Sequence, residues 1–163
     1  MHVQTNQPPD YIEDYLNKVT AFLAMNPCII YFSRTGNTKR LAQAIADATK
    51  APIYDLASAQ PSAIENCDLL ILGTPVEGAS PAKEPVAFIA GMPQTQGKKV
   101  ILFCTYRAFG NERTMKNMEK RLAAKGYQTV AKVSKKGMKP EKEADFSDII
   151  ADIRKALEKQ MTQ

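Results

Sequence analysis

Hydrophobic residues along this chain alternate between two rhythms. Cys28 to Phe32, Cys67 to Gly73 and Lys98 to Thr105 are nearly continuous apolar runs, each ended by a glycine or polar turn, the mark of strands buried on both faces. Between them the spacing becomes helical. From Asn37 to Thr49, Leu41, Ala44, Ile45 and Ala48 recur on one face, with Lys39, Arg40 and Asp47 mostly off it. Ile53 to Leu56 is a short edge-type strand. Val86, Phe88, Ile89 and Ala90 form a short helix entered through Pro81 and Pro85, since proline fits a first turn. Asn111 to Lys125 carries Met115, Met118 and Leu122 on one side and stops at Gly126. A strand at about Gln128 to Val133 precedes a lysine-rich loop, Ser134 to Glu143, and Phe146, Ile149, Ile150, Ile153 and Leu157 mark a last amphipathic helix. Ahead of the first strand, Asp10 and Glu13 cap a helix striped by Ile12, Leu16, Val19 and Leu23, with Tyr15 and Phe22 beside them.

Strands separated by helices call for parallel pairing through right-handed crossovers, and hence a three-layer α/β sandwich. The second and fifth strands are the least hydrophobic and belong at the edges of a five-stranded parallel sheet, in the order 2-1-3-4-5. In such sheets ligands bind beyond the carboxyl ends of the strands where the winding reverses, here between the first and third. Three loops should meet there: Ser33 to Thr38, Thr74 to Ser80 and Thr105 to Gly110. The chain divides into an N-terminal helical extension, 1–26, and an α/β domain, 27–163.

Composition narrows the chemistry. With 163 residues and 44% apolar content the chain suits one compact domain, and no apolar run approaches the roughly 20 residues that cross a bilayer. Cys28, Cys67 and Cys104 lie far apart without a Cys-x-x-Cys pair, so reduced, mostly buried thiols are expected, not a zinc site or a disulfide framework. The single histidine, His2, sits in the N-terminal tail, which removes histidine triads and multi-histidine metal sites. No metal and no catalytic acid–base set is expected; chemistry must come from a cofactor. Met1 to Asn26 lacks a basic start and carries Glu13, Asp14 and Lys18 within its apolar pattern, so a cytoplasmic location is expected rather than secretion.

The first loop has the makings of an anion socket. Unpaired N–H groups of a first helical turn, the positive end of the helix dipole, and the hydroxyls of Ser33, Thr35 and Thr38 can converge on a phosphate, with Gly36 allowing close approach. Capping of the helix by Thr35 or Asn37 is the structural alternative. A Walker loop is excluded because Ala79 stands where its lysine belongs, and no G-x-G-x-x-G occurs. A phosphoryl-accepting receiver would place acidic residues where Tyr31-Phe32-Ser33 and Leu72-Gly73-Thr74 stand. Ser33-x-Thr35-Gly36-x-Thr38 resembles the phosphate loop of the flavodoxin family, Gly73-Thr74-Pro75-Val76 through Gly78 is similar to its second flavin loop, and Thr105 to Gly110 occupies the place of the third.

The resemblance, which runs from about Cys28 to Leu157, implies a flavodoxin-like fold binding FMN through Ser33, Arg34, Thr35, Gly36, Asn37 and Thr38, through Thr74, Pro75, Val76, Glu77 and Gly78, and through Thr105, Tyr106, Phe109 and Gly110. It also implies electron transfer between redox proteins as the function, with NAD(P)H-dependent FMN or quinone reduction, or a flavin-free binding module, as alternatives. Tyr106 is the expected stacking ring. The family's usual second-loop aromatic is missing, so aliphatic groups or Phe109 must cover one flavin face. In the family the peptide beside a second-loop glycine turns with the flavin's redox state, and Glu77–Gly78 is the matching position. Arg34, inside the phosphate turn, is a candidate clasp for the phosphate.

Charge departs from the family, whose carriers are usually acidic. The net charge is +5, and it is uneven: residues 1–90 hold 6 basic and 9 acidic side chains, and 91–163 hold 16 and 8. Acidic redox partners are expected. Lys132, Lys135, Lys136, Lys139 and Lys142 lack interleaved aromatics, so a solvated basic surface is expected rather than nucleic-acid binding. The stripe of the N-terminal helix must be covered by its own domain, by a second copy in a homodimer, or by serving as a lid over the flavin slot.

Overall fold

The computed structural model describes residues 9–162 apart from Met138 and Pro140, and not the side chains of residues 21–23 and 61. His2 and the side chains of Phe22 and Leu23 lie outside the described residues. In chain order the elements are α1 (Asp10–Ala24), β1 (Pro27–Tyr31), α2 (Asn37–Thr49), β2 (Ile53–Asp55), a 3-10 turn (Pro61–Ile64), β3 (Leu69–Glu77), β4 (Ser80–Pro81), α3 (Lys83–Ala90), β5 (Lys98–Tyr106), α4 (Asn111–Ala124), β6 (Tyr127–Lys136) and α5 (Ser147–Met161).

The sheet runs β2-β1-β3-β5-β6 with every neighbouring pair parallel, the strand order expected from the sequence, and β4 adds an antiparallel hairpin to the end of β3. The continuous apolar runs are explained by the two faces they bury, because alternate residues of a strand point to opposite sides. On one face Ile30, Leu70, Leu72, Leu102 and Cys104 pack with Ile89 of α3 and Met115, Met118 and Leu122 of α4. On the other, Ile29, Ile71, Ile101 and Phe103 pack with Leu41 and Ile45 of α2 and Ile149, Ile153 and Leu157 of α5. Gly73 belongs to this second contact: a Cβ there would come within 2.1 Å of the Phe103 ring.

Three features differ from the sequence reading. First, Cys28 and Cys67 are joined in a disulfide, not reduced, and only Cys104 is a free, buried thiol among the described residues. Cys28 lies on β1 beside Leu70 of β3, and Cys67 just precedes β3, so the fold brings their Cα atoms to 5.8 Å, within bridging range, across a sequence gap of 39 that hides the contact. Second, β3 extends four residues beyond Gly73 and turns into β4 through Gly78 (φ 58) and Ala79 (φ 60). Two left-handed residues in a two-residue hairpin turn match the right-handed twist of the strands, at a cost of about 1 kcal/mol for the alanine. Third, β6 continues to Lys136 by pairing with β5 as far as Tyr106, into a segment whose lysines suggest a loop. The N-terminal helix, for which the sequence leaves three covers open, lies against α5, with Tyr11, Tyr15, Leu16 and Val19 still 73%, 66%, 53% and 36% exposed.

Candidate functional site

The three loops do meet at the carboxyl end of the sheet. They enclose a cleft of about 390 Å³, within the range of small-ligand sites. Arg34, Thr35 and Asn37 line it from the β1–α2 turn, Pro75, Val76 and Glu77 from the hairpin, and Thr105 and Tyr106 from the end of β5. Hollows of about 570 and 560 Å³ are larger, but they flank α1 and α5, away from these loops.

The first turn is built around Gly36, whose φ of 101 only glycine adopts at little cost. Its N–H donates to Ser33 Oγ (3.1 Å), closing the turn, and no side chain caps α2 at this position. The first-turn N–H groups of α2 have no partner within the helix and carry its positive end, so the mouth of α2 suits an anion. Thr38 is not part of that mouth. It is 1% exposed, and its hydroxyl shares a 2.8 Å hydrogen bond with Thr105 Oγ1, tying the base of the first loop to the third.

Arg34 does not face the anion socket. Its guanidinium crosses to the opposite wall, donating from Nε and Nη2 to Glu77 (2.7 and 3.1 Å) and from Nη1 and Nη2 to Glu84 of α3 (3.2 and 3.0 Å), 4.9 Å over the Phe32 ring. Hydrogen bonding to Glu77 and then Glu84 holds the guanidinium above its ordinary pKa. Burial works to raise Glu84, but its backbone hydrogen bond and Arg34 outweigh this and hold it below the ordinary carboxylate value.

The hairpin and the third loop are locked together by Gly110, which opens α4 at φ 94. A Cβ at Gly110 would sit 2.6 Å from the Ala79 Cα and 3.2 Å from a methyl of Val76, so the loops meet here only because the side chain is absent. Thr74 is fully buried behind the hairpin, accepting from the Ala82 N–H (3.2 Å) and donating to the Pro75 carbonyl (2.8 Å). Of the expected ligand residues, then, Ser33, Gly36, Thr38, Thr74, Gly78 and Gly110 shape the loops without lining the cleft. Phe109 is 75% exposed and also outside it, leaving Tyr106, Pro75 and Val76 as the walls for a flat ring. Cys104, at 0% exposure, is a core residue whose thiol is pushed up to about 12 by burial, which makes it inert.

Three cleft residues escape sequence reasoning: Arg107, Lys135 and Gly137. The Gly137 N–H donates to the Tyr106 carbonyl (3.0 Å), extending the β5–β6 ladder by one bond and carrying Lys135 up to the rim. Arg107 lies inside the expected Thr105–Gly110 loop, whereas no local signal separates the end of β6 from the lysine-rich segment that holds Lys135 and Gly137. Among the described residues no cluster of three or more His, Cys, Asp or Glu could hold a metal, and no helix is long and apolar enough to cross a membrane.

A sandwich with this strand order and a loop-built cleft at its switch point is a doubly wound α/β fold with its ligand cleft where such folds place it. The model of the flavodoxin domain matches residues 28–163, and the chain belongs to the flavodoxin family. It is 34% identical to the flavodoxin of Megasphaera elsdenii over 86 residues, covering 48% of this chain and 63% of that protein. The solution structure of that flavodoxin in its two-electron reduced form superposes with a TM-score of 0.69 at 23% identity, covering 82% of this chain and 98% of the other. A flavoprotein of Lactobacillus acidophilus in complex with FMN superposes with a TM-score of 0.58 at 16% identity, over 79% and 99% of the two chains. Rubredoxin oxygen:oxidoreductase of Desulfovibrio gigas superposes with a TM-score of 0.70 at 15% identity, covering 94% of this chain and 41% of that longer one.

Proposed function

We propose that this protein holds FMN in the cleft between the β1–α2 turn, the Gly78–Ala79 hairpin and the β5–α4 loop, and passes electrons between redox proteins. The observation that carries this is the joining of an uncapped helix mouth, opened by Gly36, to a cleft walled by Tyr106, Pro75 and Val76. The donor set fits a phosphate and the walls fit a flat ring. Thr35, Asn37 and the first-turn N–H groups of α2 would take the phosphate, while Tyr106 on one side and Pro75 and Val76 on the other would cover the ring. The flavin supplies the redox chemistry when bound; this chain's residues bind it, orient it and set the charge around it. Arg107 and Lys135 at the rim, with the surplus of lysine in the second half of the chain, favour acidic partner proteins.

Two further elements belong to the same proposal. Residues 27–163 form the flavin module, and the exposed stripe Tyr11, Tyr15, Leu16 and Val19 on the extension is covered by a second copy, which sedimentation tests directly. A cytoplasmic location is part of the same proposal, and the Cys28–Cys67 bridge is the observation that weighs against it, since disulfides are rare in that compartment; counting free thiols in protein trapped at lysis decides between them, two free thiols supporting the cytoplasm and an intact bridge an oxidising compartment. For the cofactor, protein purified from cells should be yellow and release FMN on denaturation. Colourless protein that takes up no FMN refutes the proposal, and rapid NAD(P)H oxidation by the pure protein replaces a carrier with a reductase.

A further inference from the structure

Arg34, in the phosphate turn, sends its side chain across to the far wall of the cleft. All of its guanidinium nitrogens donate to the four carboxylate oxygens of Glu77 and Glu84, and the group lies over the Phe32 ring. A phosphate could recruit it only by displacing two charge-assisted forks, so it is not the phosphate clasp. Glu77 is the last residue of β3, directly before the left-handed Gly78–Ala79 turn, and Glu84 lies in the first turn of α3, directly after β4. The guanidinium therefore ties the turn of the hairpin to the helix that follows it, from the phosphate loop.

We propose that Arg34 is a positioning residue for the flavin: through its forks to Glu77 and Glu84 it fixes the hairpin turn beside the cleft and neutralises Glu77, the acidic residue lining it. This rests on the FMN reading above. The side chains are 46%, 38% and 27% exposed for Arg34, Glu77 and Glu84, so solvent screens the pairs and the effect on affinity is modest. The effect on charge is directional. Without Arg34, Glu77 would stand as an uncompensated negative charge on the cleft wall, which would make a flavin held there harder to reduce.

The test is a double-mutant cycle on the full chain: wild type, Arg34→Gln, Glu77→Gln and the double variant, each titrated with FMN by flavin fluorescence and each measured for midpoint potential. Arg34→Gln should weaken FMN binding about threefold to fivefold and move the midpoint negative. In the Glu77→Gln background the same substitution should change both quantities by less than half as much. Arg34→Lys, which keeps the cation but not the fork, should fall between, and it carries the comparison if Arg34→Gln does not fold. Equal shifts in both backgrounds, or no shift in either, overturn the role of Arg34. Wild-type protein that takes up no FMN overturns the flavin reading itself, a distinct result.

Discussion

The two ends of this sheet are finished very differently. At the carboxyl end, four separate contacts tie the loops to one another: the Thr38–Thr105 hydrogen bond, the Arg34 forks, Gly110 on Ala79, and the Gly137 N–H on the Tyr106 carbonyl. At the amino end, the Cys28–Cys67 bridge and the bonds of Asn26 to Asp68 and Asn66 hold the strand starts, while α1 lies on α5 with its aromatic stripe exposed and open hollows beside it. One end is a preorganised site, in which binding does not have to bring the loops together. The other is a covalently held base carrying a surface that is not fully buried. Losing the bridge at the amino end should therefore lower stability and spare binding, whereas disturbing the loop contacts at the carboxyl end should touch both.

Breaking the bridge is the severest test of that separation. A disulfide closing a gap of 39 residues is worth about 4 kcal/mol by loop entropy, so the Cys28→Ala/Cys67→Ala protein should melt well below wild type, yet bind FMN with unchanged affinity once folded. Next in size, Gly110→Ala forces a Cβ into the Ala79 backbone at a left-handed φ. It should cost about 2–3 kcal/mol in chemical denaturation and, unlike loss of the bridge, impair FMN binding as well. Thr105→Val leaves the buried Thr38 hydroxyl without its partner, for about 1–2 kcal/mol of stability by the same measurement. Deleting residues 1–25 should have the smallest effect at the site. None of the described residues of α1 lines the cleft, so FMN affinity and the rate of reduction by an external donor should stay as in the full chain. A faster reduction would mean that the extension screens the flavin after all.

How much of this was legible beforehand follows the same division. The strand order, the three converging loops and the α2 boundaries could be read from apolar runs and glycine positions, because parallel strands buried on both faces leave an unmistakable pattern. Contacts between remote side chains could not. Nothing local in the sequence pairs Cys28 with Cys67 or turns Arg34 away from the phosphate loop toward Glu77 and Glu84; both depend on β1 lying beside β3. Lys135 and Gly137 were obscured for a different reason. An edge strand is buried on only part of its surface, so its polar residues imitate a loop. Phe109 shows the converse: an aromatic at the right place in the right loop that is left in solvent.

The central claim is that a phosphate seated at the mouth of α2 anchors the ligand. Parallel calorimetric titrations of FMN and riboflavin into refolded, ligand-free protein test it most directly, because the two ligands differ only in the phosphate. Affinity for FMN should exceed that for riboflavin by about a hundredfold, the worth of a few charge-assisted hydrogen bonds at a helix N-terminus. Equal affinities, or no heat from either ligand, would contradict it.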